Sequence, residues 1–89
     1  MGVIKEFVVG QAVRCGRYVG VVCLVVPPMR NPKREMKAAG IKALSGINQY
    51  HSDQLPLRDH ESYIVKSVRP GGFIRYTWPR LGRMEAIDG

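Results

Sequence analysis

The run Arg75-Tyr76-Thr77-Trp78-Pro79-Arg80 places two guanidinium groups and two aromatic rings within six residues. In an extended chain Tyr76 and Trp78 stand on one side of the backbone, Arg75 and Thr77 on the other. Such rings stack on nucleobases at about 1–3 kcal/mol per base, while arginine neutralises phosphate. The same residue types anchor protein interfaces. Core filling is the stronger reading for the rings themselves, and Arg75 and Arg80 belong at the surface.

A second cationic group, Arg30, Lys33, Arg34 and Lys37, crowds the start of an expected helix. The macrodipole already puts positive charge there, so cations at that end cost stability. A bound anion relieves both terms, because helix N-termini receive phosphate readily. These eight side chains, Arg30, Lys33, Arg34, Lys37, Arg75, Tyr76, Trp78 and Arg80, are the candidate contacts for nucleic acid or an acidic partner.

Other chemistry finds less support. His51, Asp53, Asp59, His60 and Glu61 are metal-ligand and acid-base types. Their spacing matches no metal motif, and a loop in so small a domain offers little desolvation to shift a pKa. A polar loop with local hydrogen bonds is the better reading. Nucleophile elbows and glycine-rich phosphate loops are absent. The chain is therefore expected to be no enzyme and to need no cofactor and no metal. Cys15, beside Arg14 and Arg17, reads as a half-buried structural thiol. If Gly16-Arg17 is a two-residue turn, Cys23 lies about 17 Å from Cys15 along the strand, too far for a disulfide. Reduced thiols then imply a cytosolic setting.

The elements that position these residues follow from apolar pattern and turn chemistry. Tyr18 to Val26 is apolar at eight of nine residues, Gly20 being the exception, and reads as a buried strand. Gly16-Arg17, with glycine first, suits a type II′ turn joining it to a strand over Gln11 to Cys15. Pro27-Pro28 ends the long strand. Because that strand has no polar side, something must cover its outside. Asn31-Pro32 looks like an N-cap followed by a first-turn proline. Met36, Ala39, Gly40, Ala43, Leu44 and Ile47 then form one apolar stripe, predicting a helix from Pro32 to Leu44 or Ile47. Residues 48–61 read as a loop. Ser62 to Val68, Phe73 to Trp78 and Arg83 to Ile87 read as strands, with a turn at Arg69-Pro70-Gly71-Gly72. Val3 to Val9 reads as a short opening strand.

Eighty-nine residues make one domain, 1–89, with room for one core and no deep cavity. Fourteen Lys and Arg against seven Asp and Glu give a net charge of +7, which favours polyanions or acidic surfaces. No apolar run reaches the roughly 18 residues of a membrane span, and Lys5 and Glu6 interrupt any signal-peptide pattern. A cytoplasmic protein without membrane contact is expected, as a monomer or small homo-oligomer.

Val13-Arg14-Cys15-Gly16-Arg17-Tyr18-Val19-Gly20-Val21-Val22 resembles the strand–turn–glycine–strand segment of KOW-type, SH3-like barrels. The segment that carries the likeness is ten of the chain's 89 residues. It implies a mainly β fold, a small SH3-like five-stranded antiparallel barrel with one helix inserted between strands 2 and 3, the insertion covering about residues 29–61. The insertion departs from the compact form of that family, so its ribosomal and transcription partners are not carried over. Glu61-Ser62-Tyr63-Ile64-Val65-Lys66 with Arg75-Tyr76-Thr77-Trp78-Pro79-Arg80 looks like small proteins encoded by phages and prophages. That likeness implies an accessory protein in the bacterial host cytoplasm and no particular mechanism. Two functions stand as expectations. One is a non-catalytic basic module associated with nucleic acid or a nucleoprotein complex. The other is a protein-interaction inhibitor of a host complex, anti-CRISPR-like, that blocks a binding surface.

Overall fold

Two strands hold the centre of the molecule, and both are legible as strands for the same reason: a β-branched run closed by turn residues. The computed structural model describes residues 6–41 and 57–87. Among these residues it is mainly β, with one antiparallel sheet and one α-helix. Strand β1 spans Ala12–Cys15, β2 Tyr18–Val26, β3 Ser62–Val68, β4 Ile74–Thr77 and β5 Met84–Ala86. Helix α1, Pro32–Ala38, lies between β2 and β3. The sheet order is β4-β3-β2-β1-β5. Gly16 has φ 62° while Arg17 is not positive, and Cys15 pairs with Tyr18, as a type II′ turn requires.

The sheet buries residues on both faces. On one, the core face, Phe7, Val13, Cys15, Val22, Tyr63, Val65 and Met84 pack together. The edge of one ring meets the face of the other between Phe7 and Tyr63, centroids 5.4 Å apart. On the other, the helix face, Val26, Met36 and Ile64 form a second cluster that Cys23, Leu24, Ile41, Tyr76 and Trp78 adjoin. A register shift between Val22 and Leu24 changes the alternation of β2. Cys23 and Leu24 can then both serve the helix face, while Val22 and Val25 serve the core face.

Several expectations need correction. The helix ends at Ala38, not at Leu44 or Ile47. Gly40 takes φ 78°, its N–H reaches the Lys37 carbonyl, and the Ile41 N–H reaches Met36. These bonds make a Schellman close, with Ile41 packed back on the Met36 cluster. The rest of the expected stripe, Ala43, Leu44 and Ile47, lies outside the described residues. Seven residues span about 10 Å, whereas the nine of β2 span about 30 Å, so α1 covers only part of that strand. Val19 and Val21 accordingly stay 56% and 42% exposed. Residues 6–9 of the expected opening strand form none; Phe7 is instead buried, its N–H donating to the Tyr63 hydroxyl at 3.1 Å. Barrel closure is not seen, since β4 and β5 are opposite edges of the sheet. A 3-10 turn, Leu81–Arg83, carries the chain from β4 to the far side of β1, where β5 pairs.

Candidate binding surface

Trp78 is fixed from three directions. Its indole N–H donates to the Ser62 hydroxyl at 2.8 Å. Its ring adjoins the Met36 cluster. The Arg58 guanidinium lies 3.7 Å from the ring centroid, a cation–π contact. Arg58 also donates to the carbonyl oxygens of Pro79 (2.8 Å) and Trp78 (3.2 Å). Burial, and after it the charge of Arg80, presses the Arg58 guanidinium below its ordinary value. Arg58 therefore holds the Trp78-Pro79 segment down, and Arg80 stands beside it as a second, exposed cation. Arg58 is a site residue that sequence reasoning missed, because one arginine in a polar run carries no spacing signal.

Tyr76 and Trp78 share the helix face, as their alternation predicts. Both are half-buried, so each ring is partly core and partly surface. Arg75 points the other way, toward the side where the Tyr18 and Thr77 hydroxyls meet at 2.7 Å. The basic-aromatic run is thus divided between two faces of the sheet. Helix α1 docks through Met36 on the helix face and leaves Lys33, Arg34 and Lys37 exposed, with Arg30 exposed just before it. The expected anion at the helix N-terminus does not follow from this geometry. Asn31 Oδ1 accepts from the N–H groups of Lys33 (2.9 Å) and Arg34 (3.3 Å), and the helix has only seven residues. What the first turn offers is side-chain charge.

Among the described residues no lysine or arginine forms an ion pair with a carboxylate; the ion pair found is His60 with Asp59 at 3.1 Å. The hydrogen bond and charge of His60 lower the Asp59 pKa. No group of metal-ligand side chains assembles among the described residues; His51 and Asp53 lie outside them. Cys15 and Cys23 are free thiols, and burial raises the pKa of each, which disfavours thiolate chemistry. An open groove of about 270 Å³, lined by Arg14, Gly16, Gly82, Arg83 and Glu85, lies between the first hairpin turn and the 3-10 turn. No helix among the described residues is long and apolar enough to cross a membrane.

No protein-family model matches the chain, and neither do any curated proteins or solved structures. Function has to be argued from the surface itself.

Proposed function

We propose that this protein is a non-catalytic basic binding module that associates with nucleic acid or a nucleoprotein complex through phosphate contacts. The observation that carries the reading is the set of exposed cations on and before α1, none of them neutralised by a carboxylate among the described residues. Arg30, Lys33, Arg34 and Lys37 supply the phosphate contacts, with Arg80 beyond the Trp78 segment. Arg75, on the other face, is a peripheral contact. The half-buried rings of Tyr76 and Trp78 give the helix a rigid seat and keep part of their surface exposed to a base.

The test is anisotropy of a labelled mixed-sequence oligonucleotide, single- and double-stranded, titrated at several salt concentrations. On the duplex, four phosphate contacts give a log–log slope near −3.6, so a fourfold rise in salt lowers affinity about 150-fold. The double variant Lys33→Glu, Arg34→Glu should reduce that slope by about 2. Both positions are exposed, so the variant should fold. A salt-independent affinity, or wild-type binding by the double variant, would refute the reading.

A further inference from the structure

The sheet has an edge that no other described residue pairs with. Among the described residues strand β4 is the last on its side and pairs with β3 alone. The Arg69 N–H donates to the Phe73 carbonyl at 2.7 Å. With the register Ser67↔Arg75 and Val65↔Thr77, antiparallel alternation then directs the N–H and C=O of Arg75 and Thr77 toward β3. The same groups of Ile74 and Tyr76 point outward. Past them the edge is closed, because Arg58 takes the carbonyl oxygens of Trp78 and Pro79. The free stretch is therefore short and has a defined end.

Its surroundings specify what fits. Val68, Phe73 and Ile74 are 69%, 73% and 51% exposed and gather at the β3–β4 hairpin. Arg75 stands on the opposite side of β4 from Ile74, with Arg69 exposed at the start of the turn. Neither arginine has a carboxylate partner among the described residues. A second copy of the chain would bring the same cations against this edge, and their repulsion opposes it. An extended segment with apolar residues on the Ile74 side and Asp or Glu on the Arg75 side meets every requirement. Its main chain completes the free bonds of Ile74 and Tyr76, its apolar side chains cover Ile74 and Val68, and its carboxylates neutralise Arg75 and Arg69.

We propose that the β4 edge receives an acidic, alternating apolar segment of a partner protein as a sixth strand. This surface is separate from the cations of α1. Strand addition of this kind takes affinity from main-chain bonds and specificity from alternate side chains.

The probe is a labelled acetyl-Glu-Val-Glu-Ile-Glu-Val-amide peptide, with a lysine-for-glutamate version as control. Ile74→Pro removes an outward N–H and no bond to β3, and its melting transition reports that it folds. The expected results are saturable binding of the acidic peptide and at least a tenfold loss in Ile74→Pro. In Arg69→Glu, an exposed position outside the nucleic-acid contacts, preference should shift toward the lysine peptide, while oligonucleotide affinity through α1 persists. Three outcomes would overturn the proposal. One is a folded Ile74→Pro that binds the acidic peptide like wild type. Another is no binding of that peptide at low salt. The third is a dimer in sedimentation that Ile74→Pro dissolves, which would put a second copy on the edge.

Discussion

A side chain at position 20 has nowhere to go. A Cβ built on Gly20 would stand 2.6 Å from the Lys66 carbonyl oxygen, the Ser67 hydroxyl and Val65 Cγ1. Two of these belong to buried residues and one is backbone, so relief requires β2 and β3 to separate. Gly20→Ala should cost about 1–3 kcal/mol, read as a lower urea midpoint. The Ser67 hydroxyl carries a penalty of its own, since it is buried and has no hydrogen-bond partner among the described residues. Ser67→Ala should therefore leave stability unchanged or raise it, the reverse of most core truncations. Thiols make a separate prediction. Burial raises the pKa values of Cys15 and Cys23, so the folded state holds these protons more tightly than the unfolded chain does. Their contribution is complete below the free-thiol value and is lost as pH climbs toward the folded values. The urea midpoint should fall as pH rises through and beyond the free-thiol value of 9.0. A flat midpoint there would contradict the assigned burial.

Helix α1 is too short to persist alone, since isolated helices below about 12–15 residues are marginal in water. It exists because Asn31 caps its start, Gly40 closes its end and Met36, 1% exposed, is docked against Ile64 and Val26. Met36→Ala should cost about 2–5 kcal/mol and Asn31→Ala about 1 kcal/mol, so the dock outweighs the cap. Equal losses, measured by thermal unfolding, would mean that the helix is held mainly by its own ends. The cap residues were legible in the sequence, as were β2 and β3 over their full lengths, because local chemistry sets them. The helix end was misread for a related reason. Gly40 falls on the apolar stripe and so reads as a position inside the helix, whereas its positive φ makes it the stop. Arg58 and the Val22/Leu24 shift were illegible altogether, because each depends on partners distant in the chain. The division of the basic-aromatic run was written in its alternation, with Arg75 one way and Tyr76 and Trp78 the other. Only the seating of α1 on the Trp78 side joins the two cationic groups into one candidate surface and leaves Arg75 outside it.

At the scale of the whole molecule the decisive quantity is charge. Fourteen cationic side chains oppose seven carboxylates, and among the described residues no lysine or arginine is paired with a carboxylate. An uncompensated surface of one sign destabilises the compact state by self-repulsion, and the unfolded chain relieves it by expanding. Exposed charges within a Debye length interact, about 20 Å at 25 mM salt and about 6 Å at 300 mM, so added salt should screen the repulsion. Thermal stability should therefore rise as sodium chloride increases over that range, which is the opposite of a fold held by surface ion pairs. Sodium phosphate at equal ionic strength should raise it further, because an anion that binds the folded cations stabilises by mass action in addition to screening. The comparison separates two properties of the same charges. A chloride effect alone would describe a repulsive surface with no affinity for phosphate. The extra increment with phosphate, removed by Lys33→Glu with Arg34→Glu, would locate phosphate affinity at α1. A melting temperature that falls with salt would mean that the cations find carboxylate partners in solution, and the case for a free cationic contact surface would fail with it.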